Sequence, residues 1–211
     1  TVRESRISVN WLHHYVEHAE ISSPKNARQL LENFNKNDRA SEFHACLDAR
    51  LSLGVLGRVV RDYLRLLRFA WLLRGNRTAF RPSESHLNLW PLYQNDWINS
   101  MVGSTAVWNC FTLNLLEVTL TSLRPQKLGI YLQENQGWEA ALIYIWKTCG
   151  HGKLVGVPHA TVRFWDLRYY HAKCLLNNSE RNALPRPDFI AVNARITKDA
   201  YTQSGYPQAE L

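Results

Sequence analysis

The sequence predicts an α/β protein, with a parallel sheet, helices on both of its faces and a helix-rich N-terminal portion. Short apolar runs typical of strands buried on both faces occur at 128–132 and 153–158, and a third strand is predicted at 188–194. A helical pattern that ends at Gly150 separates the first two. This strand, helix, strand order with short links implies parallel pairing and a right-handed crossover. The composition, 45% hydrophobic and 20% charged over 211 residues, is that of a globular protein.

The N-terminal portion is predicted to be mostly helical. Residues 24–34 read as a helix, because Ser23 and Pro24 are a suitable N-cap and first-turn pair. His13 and His14 lie beside Trp11 in a segment that is predicted to be a surface helix rather than a metal site.

A basic helix follows at about 50–74. The sequence has seven arginines and one acid, Asp62, between Arg50 and Arg77, and this segment nearly accounts for the net charge of +7 and the pI of about 9.4. Spacings of three and four place one set of these arginines on a single helical face: Arg58, Arg61, Arg65 and Arg68. This face has two interpretations, an anionic membrane surface as partner or a core helix whose charged face is solvated. Nucleic acid is not predicted as a partner, because no DNA- or RNA-binding motif accompanies the charge.

Composition predicts the remaining loops, helices and domain boundaries. A Pro/Ser/Asn-rich loop is predicted at 81–95, and a long helix at 96–122. The domain prediction is a helix-rich segment over 1–85 and an α/β portion over 86–211, which together form one domain. Four cysteines lack the spacing of a metal site, so reduced thiols in a cytoplasmic protein are expected.

Two titratable residues directly follow predicted strands. Glu134 comes after the first strand and His159 after the second. In open parallel sheets, ligands bind outside the carboxyl ends of the strands. The chemistry of this protein is therefore expected at that edge of the sheet.

Several segments resemble a family of bacterial surface-carbohydrate (O-antigen-type) biosynthesis proteins, glycosyltransferases with the GT-B fold. The resemblance covers roughly residues 88–211 and is thin upstream of residue 85. It rests on four phrases: "LWPLYQNDWINSMVGSTAVWN", "YLQENQGWEAALIYIWK", "GVPHATVRFWDLRY" and "LPRPDFIAVNA…SGYP". GT-B enzymes have two facing Rossmann-like domains, of which the N-terminal one mainly holds the acceptor and the C-terminal one the nucleotide-sugar.

The resemblance implies a function. The protein would transfer a sugar from a nucleotide-sugar to a glycan or lipid-linked glycan acceptor in bacterial surface polysaccharide biosynthesis. It would act in the cytoplasm or peripherally on the inner face of the cytoplasmic membrane, with no metal and no cofactor. This chain would be the acceptor-side half, inactive without a donor domain after Leu211. The alternative is a non-catalytic module that binds carbohydrate or docks on the membrane.

The resemblance also implies roles for individual residues, each with a structural alternative. Glu134 would be a general base or acceptor ligand, or else would cap the following helix. His159 would stabilise charge, or would be hydrogen-bonded in a strand-end turn. Arg163 would bind a phosphate or carboxylate, or would pair with Asp166.

The remaining implied ligand-binding residues are aromatic and amide side chains. Trp138 and Trp165 would stack on sugar faces, although core packing is the competing role for at least one of them. Gln133, Asn135 and Gln136 would form hydrogen bonds with sugar hydroxyls. His151, in a glycine-flanked turn, is predicted to be structural.

Overall fold

The computed structural model describes residues 7–16, 18–19, 21–37, 41–83, 86–158, 167–170 and 183–211. The chain forms two compact units, Thr1–Val107 and Trp108–Leu211, whereas the sequence pattern placed a boundary at residue 85. In chain order the strands and helices are β1 (Val9–His13), α1 (Pro24–Asn37), β2 (Glu42–Cys46), α2 (Leu53–Leu72), α3 (Trp90–Val102), α4 (Ser104–Ser122), β3 (Leu128–Gln133), α5 (Gly137–Thr148), β4 (Lys153–Pro158), β5 (Phe189–Ile190) and α6 (Arg195–Gln203).

The first unit contains a parallel two-stranded sheet that the sequence did not predict. β1 pairs with β2 in a register that runs from Val9 opposite Glu42 to His13 opposite Cys46. The interpretation of the segment around Trp11 and His13 as a helix is therefore wrong. The strand that pairs with β1 lies about 30 residues away along the chain, so local sequence periodicity does not predict the pairing.

The basic helix is confirmed as α2. Ser52 caps its first turn, because the Ser52 hydroxyl accepts a hydrogen bond from the backbone N–H of Val55 at 3.3 Å. Val55 and Val59 are buried. The Tyr63 hydroxyl donates to the carbonyl of Val102 at 2.6 Å, which links α2 to α3.

The single helix predicted over 96–122 is two helices. α3 begins earlier, at Trp90, inside the predicted loop, and it ends before Gly103, where α4 follows at once. The Asn99 side chain accepts from the Ser104 hydroxyl and from the Thr105 N–H, both at 3.3 Å. A side chain at Gly103 would collide with Asn99. Gly103, which lies inside the predicted helix, thus marks a break between two helices. No helix among the described residues is both long and apolar enough to cross a membrane.

The second unit is built on a parallel sheet in the order β3-β4-β5. This mixed α/β arrangement, with parallel strands and helices, is consistent with a Rossmann-like fold. The strand predicted over 153–158 has those bounds. The one predicted over 188–194 pairs only at Phe189–Ile190. The predicted helix after β3 ends at Thr148, and Gly150 adopts the left-handed φ of +70° expected of a helix terminus.

One face of this sheet carries the hydrophobic core. Residues of β3 and β4 pack there with α4 and α5, and the buried members are Leu120, Tyr131, Ile143, Ile145, Trp146 and Leu154. On the opposite face Leu128, Ile130 and Leu132 are exposed. The prediction that β3 is buried on both faces is therefore wrong for the described residues, and α4 and α5 cover one face of the sheet only.

His151 is structural, as predicted. Its Nδ1 accepts from the backbone N–H of Gln126 at 3.1 Å, so its Nε2 carries the proton and donates to the carbonyl of Leu120 at 3.2 Å. The ring joins the end of α4 to the chain just before β3. None of the three cysteines in the described part of the chain forms a disulfide: Cys46 and Cys110 are buried, as expected, and Cys149 is half-buried. Cys174 lies outside the described residues.

Candidate functional site

The second unit has a cavity at the carboxyl end of β3. Its volume is about 200 Å³. It is lined by the end of β3, the first turns of α5, the segment before β5 and the segment after α6: Tyr131, Gln133, Asn135, Gln136, Gly137, Glu139, Ala140, Ile143, Leu184, Pro185, Arg186, Pro187 and Tyr206. This is the edge of a parallel sheet at which ligands bind in open α/β folds.

A buried carboxylate organises the loop between β3 and α5. Glu139 is 2% exposed, and its Oε1 accepts from the backbone N–H groups of Glu134 at 2.8 Å and Gln136 at 3.0 Å. The N–H of Asn135 also faces this carboxylate, and Asn135 has a positive φ of 55°. The loop therefore turns its N–H groups inward around Glu139 at the N-terminus of α5, where a negative charge is favoured.

Several buried polar atoms that line the cavity have no hydrogen-bond partner in the protein. They are Tyr131 Oη, Gln133 Oε1, Asn135 Nδ2 and Glu139 Oε2. The other amide atoms of Gln133 and Asn135 bond to each other, since Gln133 Nε2 donates to Asn135 Oδ1 at 3.1 Å. Buried polar groups are almost always paired, so a group of unpaired ones around a cavity marks the place of a polar ligand or of water.

A glycine on the neighbouring strand makes room for two of these atoms. A β-carbon built on Gly156 would lie 2.6 Å from Gln133 Oε1 and 3.1 Å from Tyr131 Oη. Gly156 is the register partner of Tyr131. The hydroxyl and the amide oxygen are thus held side by side over the backbone of β4, which fixes their positions.

Burial favours the neutral forms of three acidic side chains in the cavity: Glu139, Tyr131 and Tyr206. Burial raises the pKa of the Glu139 carboxyl, although three backbone N–H groups oppose that shift. Burial also raises the pKa of the Tyr131 phenol, and it raises the pKa of Tyr206 to about 12. Both phenols are therefore neutral near pH 7 and can donate and accept.

An ion pair closes another side of the cavity. Arg186, which is 6% exposed, donates through Nη2 to Glu210 Oε1 at 3.1 Å. Burial raises the pKa of Glu210, while the Arg186 guanidinium lowers it. The Arg186 guanidinium has five N–H donors, so it can donate hydrogen bonds to an electron-rich ligand in the cavity.

The sequence-predicted residues divide into three groups. Gln133, Asn135 and Gln136 line the cavity. Glu134 is half-buried in the same loop, and Trp138 packs edge-on to Tyr131 with 6.2 Å between ring centroids, against the core. The others lie outside the described residues: His159, Arg163, Trp165 and Asp166. Glu139, and not Glu134, provides the side-chain cap at the start of α5, and its carboxylate accepts a hydrogen bond from the backbone N–H of Glu134.

Sequence reasoning missed four of the polar residues that line the cavity: Tyr131, Glu139, Arg186 and Tyr206. Glu139 carried a recognisable signal, because an acceptor at Gln136 followed three positions later by Glu is the spacing of a capping box. Tyr131 lies two positions before Gln133, so the alternation of a strand puts both on one face. Arg186 and Tyr206 had no such signal, since only the fold brings them to β3.

The first unit has a separate aromatic and histidine cluster between β1 and β2. His13 Nε2 and His44 Nδ1 are 3.0 Å apart and the two rings stack, while Trp11 Nε1 donates to Glu42 Oε2 at 3.0 Å. No group of three His, Cys, Asp or Glu side chains in the described part of the chain could hold a metal ion.

This histidine pair predicts a pH dependence of stability. Burial, and then the charge of His44, lower the pKa of His13 below its usual 6.5. Below pH 6.5 the unfolded chain therefore binds the proton more readily than the folded chain, so the free energy of unfolding falls as the pH drops. Urea unfolding between about pH 7.5 and 5.5 measures the slope. His13→Gln should flatten that slope, and His86→Gln, at an exposed histidine, should leave it unchanged. Equal slopes in wild type and His13→Gln would contradict this account.

No protein-family model, no curated protein and no solved structure matches this chain. The geometry of the cavity and the sequence itself therefore carry the functional argument.

Proposed function

We propose that the cavity at the carboxyl end of β3 binds a sugar of a glycan acceptor, and that the protein is the acceptor-side part of a glycosyltransferase of bacterial surface polysaccharide biosynthesis. In this proposal the Trp108–Leu211 unit belongs to the N-terminal domain of a GT-B architecture. The nucleotide-sugar would be held mainly by a donor-side domain beyond this chain. The observation that carries the proposal is the set of buried, unpaired polar atoms around the cavity.

The chemistry of these atoms fits a sugar. They include a neutral hydroxyl at Tyr131, an amide oxygen at Gln133, an amide N–H₂ at Asn135 and a carboxyl oxygen at Glu139. Each sugar hydroxyl both donates and accepts a hydrogen bond, so a ring with several hydroxyls can satisfy donors and acceptors together. An apolar ligand would leave them unpaired, at a cost of about 1–3 kcal/mol for each group.

The size of the cavity limits the ligand. Its volume of about 200 Å³ is smaller than the ~300–1,000 Å³ of sites that hold drug-sized molecules. One sugar ring is therefore the expected occupant, with the rest of the glycan outside. Ile143 and the prolines Pro185 and Pro187 provide apolar surface for the C–H face of that ring.

The transfer step is assigned from the resemblance. Glu134, in the loop whose N–H groups surround Glu139, is proposed as the general base towards the acceptor hydroxyl. His159 is proposed to stabilise charge in the same step. Arg163, Trp165 and Asp166, in the segment after β4, are proposed to contact substrate.

A binding titration of the 211-residue chain tests the site. Glucose, galactose, N-acetylglucosamine and rhamnose are titrated and followed by NMR, with UDP-glucose as the nucleotide-sugar probe. At least one free sugar should bind with saturation, and UDP-glucose should bind no more tightly than that sugar. Tyr131→Phe should weaken the binding about tenfold, the effect of one lost hydrogen bond in a buried site. It should not destabilise the fold, because it removes a hydroxyl that has no partner in the protein.

Control variants separate the site from its surroundings. Tyr144→Phe removes the hydroxyl of a tyrosine that is 57% exposed on α5, and it should bind sugar like wild type. Glu134→Gln should also keep wild-type affinity, since its role is assigned to transfer. The site proposal fails if no sugar binds, or if Tyr131→Phe binds as well as wild type. Tight saturable binding of UDP-glucose would instead place the donor on this chain.

A further inference from the structure

Helix α2 has an exposed apolar stripe along its length. The stripe consists of Leu53, Leu56, Val60, Leu64 and Trp71, and the exposed fractions range from 37% at Leu56 to 86% at Leu53. Spacings of three, four and seven residues keep these side chains on one face of the helix. The buried residues Val55 and Val59 lie on the opposite face. Over residues 53–64 the apolar residues of α2 therefore divide into a packed side and a side that faces solvent, while Phe69 and Leu72, near the end of the helix, are exposed outside the stripe.

Arginines follow one edge of this stripe. Arg61 and Arg68 are exposed and lie about a quarter of a turn from it, and Arg65, also exposed, and half-buried Arg58 lie further round the same side. With four arginines and one aspartate, α2 carries a net charge of +3.

The aspartate of α2 does not remove this basic character. Asp62 accepts from Arg61 at 3.1 Å and from Arg65 at 3.4 Å, yet the two arginine side chains remain 53% and 66% exposed. Surface ion pairs of this kind contribute little energy. A guanidinium has five N–H donors, so one carboxylate contact does not exhaust it.

The C-terminal end of α2 combines an exposed aromatic ring with a further cation. Trp71 is 62% exposed, and the guanidinium carbon of Arg74 lies 4.0 Å from the centre of its ring. Arg74 also donates to the carbonyl of Trp71 at 3.1 Å. Tryptophan beside a basic residue is typical of the boundary between lipid headgroups and acyl chains.

We propose that the exposed face of α2 binds an anionic lipid surface, with the stripe inserted among the headgroups and the arginines on lipid phosphates. This inference goes beyond the carbohydrate site and does not rest on it. Charge complementarity selects this occupant. A second copy of the chain would bring the arginine rows of two α2 helices close together, and their repulsion disfavours a dimer.

Sedimentation with vesicles tests the proposal. The 211-residue chain should sediment with vesicles of equal parts phosphatidylcholine and phosphatidylglycerol at low salt, and not with phosphatidylcholine alone. Each arginine near such a surface contributes about fivefold in partitioning. Replacing Arg58, Arg61, Arg65 and Arg68 together by Gln should therefore abolish sedimentation. Salt should weaken the binding of the wild type, because the attraction acts over ~10 Å at 0.1 M.

Two further variants identify the surface. The first removes the same net charge from outside α2. It replaces four exposed arginines by Gln: Arg28, Arg81, Arg124 and Arg195. It should retain more than half of the wild-type binding. The second, Val60→Gln with Leu64→Gln, should lower binding at least tenfold while leaving the circular dichroism spectrum unchanged.

Three results would overturn the proposal. The first is that the wild-type chain does not sediment with vesicles that contain phosphatidylglycerol. The second is that the two arginine variants lose equal amounts of vesicle binding. The third is a concentration-dependent dimer that the Val60 and Leu64 substitutions abolish. The last result would assign the stripe to a second copy of the chain.

Discussion

Gly152→Ala is expected to lower the free energy of unfolding by ~3 kcal/mol or more, at or above the upper end of the usual range for overpacking. A β-carbon at Gly152 would lie 2.7 Å from the carbonyl carbon of Lys127 and 3.0 Å from the carbonyl oxygen of Gln126, and it would meet the Lys127 oxygen as well. These are backbone atoms. Gly152 N–H donates to Gln126 at 2.7 Å, and Lys153 N–H donates to Lys127 at 3.1 Å. The segments before β3 and β4 cannot separate without losing these bonds.

Urea unfolding of the purified chain measures this effect, and a second glycine provides the matched control. Gly57 lies on α2, and a β-carbon there would have no atom within 4 Å. Because alanine is a better helix former than glycine, Gly57→Ala should raise the free energy of unfolding by ~1 kcal/mol. A loss of less than ~1 kcal/mol for Gly152→Ala, the low end of the overpacking range, would mean that the close approach of the two segments is wrong.

Glu139→Ala is expected to cost ~2–3 kcal/mol, because it removes the acceptor for the N–H groups that begin α5. Glu134 and Gln136 donate to this carboxylate at 2.8 and 3.0 Å, and it is 2% exposed. Buried donors that lose a charged acceptor cost more than a neutral hydrogen bond contributes. The same change opens space beside Tyr131 and should weaken sugar binding, so stability and affinity should fall together.

Glu139→Gln separates the hydrogen bonds from the charge. The amide keeps one acceptor oxygen, so this variant should recover most of the stability lost in Glu139→Ala. The pH dependence of the stability difference between this variant and wild type follows from the Glu139 carboxyl. Burial raises the pKa of Glu139 above its usual 4.5, so the folded state binds the proton more readily than the unfolded state. The stability that Glu139 contributes is therefore present at low pH and is lost as the pH rises through its folded pKa. Relative to wild type, Glu139→Gln should become more stable as the pH rises from about 4.5. A constant difference across that range would contradict the burial of an ionisable Glu139.

Local signals predicted the α/β unit well. The apolar run of β3, the helical pattern of α5 and the apolar run of β4 are each continuous in sequence, and Gly150 ends α5 as its conformational freedom suggests. The limits of β5 were not predicted, because a strand extends only as far as its partner. The break at Gly103 was also missed, since a glycine with small neighbours is compatible with a continuous helix until the Asn99 side chain takes part.

The candidate site was predicted in part for the same reason. Gln133, at the end of β3, and Asn135, just after it, were predicted only through the family resemblance, while the rule that ligands bind at the carboxyl ends of parallel strands pointed to Glu134 in the same loop. Glu134 was predicted as a base, and the structure places it in the same loop but outside the lining of the cavity. Arg186 and Tyr206 lie more than 50 residues further along the chain. Only the packing of β5 and α6 brings them to β3.

The sequence by itself determined the parallel β3-α5-β4 unit, the basic helix α2 and the edge of the sheet where polar residues gather. Each of these depends on side-chain periodicity, which is a local property of the backbone. The tertiary structure decided which of those side chains are buried without a partner and which apolar residues of α2 face solvent. Burial depends on contacts between distant segments, and a local pattern does not contain them. For that reason Tyr131, predicted only as part of a strand, is a cavity residue, and α2 buries Val55 and Val59 but leaves an apolar stripe exposed on its other side.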